Sequence, residues 1–263
     1  MNRIKDYQEL KTNIVSWIKN YVEENKIKSL VVGVSGGIDS AVVSTLCAET
    51  ELPTYVLSMP LHSSFDNDNL SDYHCDFLEK KYSNVTKIRI DLTSTYENLL
   101  KSFDFWVGEG EYTSNNLANA NTKSRIRMVT LYQVAGNVGG IVVGTGNKVE
   151  DYGVGFYTKY GDGGVDIAPI ADLYKTEVWE LGKYLGVDQR IIEAKPTDGL
   201  WEDGRTDEDQ IGTSYEMLEW VMEKGLLEDP MFLNEEQTKS IQVYQKFNSQ
   251  NKHKMLSIPT FKL

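Results

Sequence analysis

Cysteine, histidine, proline and positive charge are all scarce in this chain of 263 residues. Its two cysteines, Cys47 and Cys75, form no Cys-x-x-Cys pair. Neither a disulfide framework nor a zinc site is supported, and both thiols are expected reduced and partly buried. Six prolines leave no Pro-rich linker, and no internal repeat or low-complexity tract occurs. No apolar run approaches the ~18 residues of a membrane span. The opening segment MNRIKDYQELKTNIVSWIKN is charged throughout and has no apolar signal-peptide core. The expectation is a cytoplasmic protein without membrane contact. Twenty-seven basic residues stand against 39 acidic ones, a net charge of −12. That balance opposes nucleic-acid binding, which depends on basic surface to displace counterions.

What is present is enough for a large core: 40% of the residues are apolar and 11% aromatic, which excludes a disordered chain. Leu10, Ile14, Trp17, Ile18 and Tyr21 follow a helical period. Residues 29–34, Ser-Leu-Val-Val-Gly-Val, form a short continuous apolar run, as in a strand covered on both faces. Further strands are expected at 54–59, 85–91 and 140–144. Helices are expected at 40–49, 66–81, 95–106, 119–136, 175–184, 208–223 and 234–250. Residues 153–164 read as a glycine-rich loop, 194–207 as a second loop, and 252–254 as part of a C-terminal tail. The β-α-β-α alternation implies an α/β fold, a doubly wound parallel sheet flanked by helices. No composition break divides it, so residues 1–263 are expected to form one domain.

The most informative stretch lies between the first strand and its helix: Gly33, Val34, Ser35, Gly36, Gly37, Ile38, Asp39 and Ser40. Glycines let a ligand approach the backbone, and the helix start turns free amides and a positive dipole end toward it. The hydroxyls of Ser35 and Ser40 add donors, so the turn is an anion site. Asp39 conflicts with an anion unless a cation joins it, and Mg²⁺ between carboxylate and phosphate removes the conflict. A ligand-free tight turn is the plainer alternative, and two hydroxyls, two adjacent glycines and an acid together weigh against it. Neither Gly-x-x-x-x-Gly-Lys-Ser/Thr nor Gly-x-Gly-x-x-Gly occurs, so a P-loop and a dinucleotide fingerprint are unsupported.

The Ser-Gly-Gly-x-Asp-Ser pattern resembles the pyrophosphate-binding loop of the ATP pyrophosphatases, which implies a Rossmann-like sheet and adenylating chemistry. The second half of the chain narrows this. Gly144-Thr-Gly-Asn-Lys-Val-Glu150, Thr158-Lys-Tyr-Gly-Asp-Gly-Gly-Val-Asp166 and Pro169-Ile-Ala-Asp-Leu-Tyr-Lys-Thr176 follow in order. With Lys195-Pro-Thr-Asp-Gly-Leu-Trp201, Thr206-Asp-Glu-Asp209, Asn121-Thr-Lys-Ser-Arg-Ile-Arg127 and His253-Lys254, they resemble the ammonia-dependent NAD⁺ synthetases over about residues 10–260. The resemblance implies conversion of deamido-NAD⁺, ATP and ammonia to NAD⁺, AMP and pyrophosphate.

The same resemblance distributes roles. The 33–40 turn, Thr145, Lys175 and Thr197 correspond to ATP contacts, and Asp39 and Glu150 to Mg²⁺ ligands. Arg125, Lys159, Asp166, His253 and Lys254 correspond to positions that hold deamido-NAD⁺. Lys175 is expected to neutralise phosphate charge in adenylation. Asp162 is expected to bind ammonium and take its proton in amidation, within a loop able to close over the adenylate. Three departures stand out. Ser124 replaces the usual alanine and is expected to be tolerated. Leu61-His-Ser-Ser64 lacks the family's glutamine-bearing segment, and no adenine contact is assigned there. The span from Glu150 to Lys159 is one residue longer than in some members, which affects the register of Lys159.

The chain has no room for a fused glutaminase domain, so free or delivered ammonia is expected as the nitrogen source. The family implies a homodimer, for which Trp106 and Tyr132 are candidate surface aromatics. Competing readings are a GMP synthetase or tRNA sulfur-transfer enzyme, and a binding module that keeps the turn without chemistry. The intact Asp39, Glu150, Asp162 and Lys175 argue against the last.

Overall fold

A computed structural model describes residues 3–62, 65–103, 116–196 and 206–262. At its centre is a parallel sheet of β1 (Ser29–Gly33), β2 (Thr54–Ser58), β3 (Val85–Arg89) and β4 (Gly140–Val142), in the order β3-β2-β1-β4. Leu30 of β1 stands opposite Thr54 on one side and Ile141 on the other. The chain thus winds outward from β1 to β3 and then returns to lay β4 on the other flank of β1. That reversal opens a crevice beyond the carboxyl ends of β1 and β4, where open α/β sheets take up ligands. A parallel bridge between Val143 and Ile167 prolongs the sheet beyond β4.

The apolar run of β1 has the reason the sequence suggested. Leu30 and Val32 enter one core layer with Ile14, Ile18 and Val22 of α1 (Tyr7–Glu24). The same layer takes α2 (Ile38–Glu49) and Val178 and Leu181 of a later helix, α6 (Lys175–Leu185). Val31 points the other way, joining Leu57, Val142, Tyr96 of α4 (Thr93–Lys101) and Ala135 of α5 (Asn116–Val138). Alternate residues of one strand therefore feed two cores. Helices cover both faces, with α3 (Phe65–Lys81) packing on β2 and β3. Among the described residues no helix is long and apolar enough to cross a membrane.

Several boundaries differ from expectation for local reasons. Residues 208–223 are two helices, α8 (Asp207–Ile211) and α9 (Tyr215–Glu223), after a short α7 (Gln189–Glu193) that periodicity missed. Gly212 takes φ +94°, a left-handed geometry that ends α8. Ser214 then caps α9 by accepting from Met217 N–H. Lys252, His253 and Lys254 are not in a tail but form the last turn of α10 (Glu235–Met255), where cations suit the helix dipole. Residues 149–154, of which 153 and 154 were expected to open a loop, form a π-helix. Thr197 and Trp106 lie outside the described residues, as do the distal part of the 95–106 helix and most of the 195–201 motif.

Cys47 and Cys75 are free and completely buried. His74 of α3 is buried too, its Nε2 3.1 Å from the Ser44 hydroxyl of α2, one turn beyond Ser40. Burial lowers its ring from the ordinary 6.5 to about 4. The unfolded chain takes up this proton near pH 6.5 and the folded one only near 4. The contribution of neutral His74 is therefore complete above pH 6.5 and falls away as the pH drops toward 4, by about 3 kcal/mol. Urea midpoints measured between pH 7 and 4.5 should show this loss, and His74→Leu should flatten it. An unchanged slope in the variant would refute the assignment.

Candidate active site

The turn after β1 is built before any ligand arrives. Gly36 takes φ +92°, which favours glycine. Ser40 Oγ accepts from Ser35 N–H at 3.1 Å, and Ser35 Oγ accepts from Gly37 N–H at 3.2 Å. The two hydroxyl oxygens are themselves 3.1 Å apart. Ser71 of α3 fixes Val34 by donating to its carbonyl at 2.6 Å. Gly37 is the cap of α2, so Ile38, Asp39 and Ser40 form the helix's first turn, with their amides toward the crevice.

The neighbouring strand supplies the second half. After β4, Gly144, Thr145 and Gly146 lead to Asn147, which is completely buried. Its side-chain N–H donates to Asp39 Oδ1 at 3.2 Å, and its Oδ1 accepts from the N–H groups of Val149 and Glu150 at 3.1 Å each. One amide thus staples the two turns across the switch point. Lys175 opens α6 and is only 2% exposed. Its ammonium donates to Asp39 Oδ2 at 2.5 Å and Glu150 Oε1 at 3.0 Å. Burial alone would lower it, but the two carboxylates hold it above its usual range. A surface lysine, the plain alternative at a helix start, is excluded. Tyr215 of α9 completes the group, donating its hydroxyl to Glu150 Oε1 at 2.7 Å.

The loop after the π-helix docks on α5. Asn121, Ser124 and Arg125 are spaced i, i+3, i+4 and share a helix face. Asn121 Oδ1 accepts from the Thr158 hydroxyl at 2.6 Å, and Arg125 donates to the Lys159 carbonyl at 3.3 Å. Ser124 donates to Asp162 Oδ1 at 2.7 Å and accepts from Asp162 N–H at 2.9 Å. Thr158 N–H also donates to Asp162 Oδ1, at 3.0 Å. A Cβ on Gly161 would sit 2.3 Å from Ser124 Oγ, so glycine is what permits this docking. Asp162 is exposed and lines the cleft. Burial raises it, and the Ser124 and backbone hydrogen bonds oppose the rise.

The expected cations divide into two groups. Lys175 lies with the acids at the β1 and β4 turns. Arg125, Lys159 and the α10 terminus are stitched together elsewhere. Lys159 donates to the His253 carbonyl at 3.0 Å, and Lys254 donates to the carbonyls of Gly155 and Tyr157 at 2.8 and 2.7 Å. The His253 side chain is exposed. Asp166 is anchored at the sheet edge: its oxygens accept from Val142 N–H at 2.8 Å and the Tyr132 hydroxyl at 3.0 Å. Tyr132 is therefore tied within the chain.

A cavity of about 200 Å³ joins these parts; Gly144, Gly146, Asp151, Tyr157, Asp162 and Lys254 are among its walls. Asp151 had no motif to mark it. Burial, then Glu150, Asp162 and Asp39, push its carboxyl up to about 8. Tyr215 was missed for the same reason, since one buried tyrosine in a helix gives no signal. Asn147 stood inside a quoted motif, where its amide could have been singled out.

A protein-family profile described as NAD synthase matches residues 10–262. This chain belongs to the NAD synthase family. An ammonia-dependent NAD⁺ synthetase from Alkaliphilus metalliredigens is 42% identical over 213 residues, covering 80% of this chain and 84% of that protein. Among solved structures, an NMN synthetase from Francisella tularensis superposes with a TM-score of 0.85 at 30% identity, over 99% of this chain and 100% of that one. An ammonia-dependent NAD synthetase from Campylobacter jejuni, in complex with nitrate ion, gives 0.75 at 27% identity, over 98% and 100%. The family read from the motifs is borne out.

One departure from the NAD synthase pattern now has a physical explanation. Ser124 is the side chain that grips Asp162, so its replacement of alanine has structural weight. Ser124→Ala removes an interaction that lowers the Asp162 carboxyl. The acid limb of the rate should move to higher pH, with an activity loss of about threefold to tenfold, the equivalent of one hydrogen bond; an unmoved pH profile would contradict this. Lys175→Met should cost about 100-fold or more in AMP formation and lower the melting temperature, because Asp39 and Glu150 lose their shared counter-ion.

Proposed function

We propose that this chain amidates the nicotinate carboxylate of deamido-NAD⁺, using ATP and ammonia and releasing NAD⁺, AMP and pyrophosphate. The observation that carries this reading is the ion group of Lys175, Asp39 and Glu150 at the anion turn, with Asp151, next to Glu150, and Asp162 lining one cavity. In the first step a nicotinate oxygen attacks the α-phosphorus of ATP, and the bond to the β-phosphate bridging oxygen breaks. The 33–40 turn, with Thr145 and Thr197, holds ATP, and Lys175 neutralises charge that builds on the phosphates. In the second step the nitrogen lone pair attacks the acyl carbon and AMP leaves with its oxygen. Asp162 accepts a proton from ammonium, so that a neutral nucleophile forms beside the acyl adenylate.

The donor set fits magnesium. Asp39 and Glu150 already bracket one cation, the Lys175 ammonium. Among the described residues no cluster of three or more His, Cys, Asp or Glu forms a cage, and Mg²⁺ asks for only one or two carboxylates beside substrate phosphates and water. When bound, it supplies neutralising charge at the phosphates. Arg125, Lys159, Asp166, His253 and Lys254 are assigned to deamido-NAD⁺. The protein is inferred to act as a homodimer in the cytoplasm.

A second reading keeps the chemistry and shortens the acceptor to nicotinate mononucleotide. It is favoured by the match over nearly the full length to the Francisella tularensis NMN synthetase. Purified protein given ATP, Mg²⁺ and ammonium should form equal AMP and NAD⁺ from deamido-NAD⁺. Faster amidation of the mononucleotide would transfer the assignment to the second reading. AMP made only with xanthosine monophosphate, or efficient turnover with glutamine in place of ammonium, would overturn it. EDTA should stop AMP formation and excess Mg²⁺ restore it.

A further inference from the structure

Where Lys175 points is decided by how the chain enters α6, because Lys175 is that helix's first residue. The preceding Tyr174 donates its N–H to Glu177 Oε2 at 2.8 Å, and Glu177 is only 5% exposed. Glu177 is held in turn from the far end of the chain. Arg3 Nε donates to Glu177 Oε1 at 3.0 Å, and Arg3 Nη2 donates to Glu177 Oε2 at 2.6 Å and to the Asp172 carbonyl at 2.7 Å. The guanidinium carbon also lies 4.2 Å from the centre of the Tyr174 ring. One side chain therefore touches Asp172, Tyr174 and Glu177, the residues that set the entry of α6.

Arg3 is itself fixed. Ile4 and Tyr7, just beyond it, pack against the main core, and Asp6 caps α1 by accepting from Gln8 and Glu9 N–H. The β4 turn grips the same entry from its own side: Lys148 donates to Asp172 Oδ1 at 2.7 Å, and Lys148 N–H donates to the Leu173 carbonyl at 2.8 Å. Thr176 is separately tied to Glu219 of α9, through N–H and hydroxyl, at 2.9 and 2.6 Å.

We propose that Arg3 is a positioning residue for Lys175, clamping the first turn of α6 so that the ammonium projects between Asp39 and Glu150. Arg3 lies just before residues 10–262, which the family profile matches. The chemistry calls for arginine. A guanidinium offers a fork to a carboxylate, a further N–H to a carbonyl and a flat face to a ring at once, which an ammonium cannot do. Without the fork, the buried Glu177 carboxylate turns toward water and releases Tyr174 N–H, because a lone buried charge is costly. Lys175 then enters its two hydrogen bonds from a looser backbone. The Lys148 and Glu219 contacts remain, so the effect is a loss of precision and not of the helix.

The inference rests on the role given to Lys175, and its test includes a measurement that needs no turnover. Arg3→Ala and Arg3→Lys are compared with the unaltered protein in two ways. Acetic anhydride labelling of nucleotide-free protein, read by peptide mass spectrometry, follows the reactivity of Lys175 against exposed Lys183. Steady-state kinetics separate kcat from KM for the nicotinate substrate. In Arg3→Ala, Lys175 should label about tenfold faster at constant Lys183 labelling, and kcat should fall about tenfold with KM within twofold, the scale expected of a displaced catalytic group. Arg3→Lys should lie between, since charge is restored without the fork. Unchanged Lys175 labelling and kcat, even with a lower melting temperature, would reduce Arg3 to a structural strap and overturn the proposal. Uniformly faster labelling of all lysines would do the same. If Arg3→Ala does not fold, Arg3→Lys decides on the same two readouts. An unaltered protein that fails to make AMP overturns the proposed function, and the labelling result still decides the clamp.

Discussion

The structure depends on one buried ammonium. Lys175 draws together Asp39 from the turn after β1, Glu150 from the turn after β4 and, through Glu150, Tyr215 from α9. Three segments far apart in sequence converge because none of these charges can be left alone in an interior. The group carries one ammonium and two carboxylates, a net −1, and it sits beside amides arranged for an anion. That combination suits a phosphate accompanied by a cation and suits neither partner separately. Asn147 keeps the two carboxylate-bearing turns at a fixed separation, and a completely buried amide satisfied at both ends is a rigid spacer.

The sheet explains why the acids meet there. β1 and β4 are neighbours only because the chain reverses direction after β3, and the carboxyl ends of both strands open on the resulting crevice. The sequence supports this through β1, whose unbroken apolar run requires cover on two faces, and through the alternation of elements. Turn chemistry marked the 33–40 segment for the same reason it folds: glycines and hydroxyls are needed by the backbone itself.

What the sequence did not disclose came from pairings across long separations. Nothing local to Ser124 or Asp162 says that they will touch, so a serine in an alanine position looked neutral. Tyr215 and Asp151 acquire their roles only by burial against Glu150 and the cavity. The breaks at Gly212 and Ser214 carried recognisable stop and cap residues, yet the apolar period ran through them and dominated the reading. The partners of the cations were hidden in the same way: Lys175 is enclosed by acids, whereas Lys159 and Lys254 hold backbone carbonyls at the α10 end.

That division bears on how polyanions and ammonium share one acidic protein. Glu150 raises Asp39, Asp151 and Asp162, and Asp151 is pushed up to about 8 by burial and the other three. Such a concentration of carboxyl groups repels free ATP and attracts small cations. Under the proposed function a nucleotide would enter most favourably with a cation, and Asp39 and Glu150 would be shared between that cation and Lys175. Ammonium is favoured by the same field, which then assists its capture and opposes loss of its proton. A carboxylate raised by burial, as Asp162 is, takes that proton more readily than an ordinary one. The hydrogen bond from Ser124 opposes that rise. Burial and hydrogen bonding thus oppose each other at Asp162, and under the proposed role their balance would set the pH at which ammonia forms beside the adenylate.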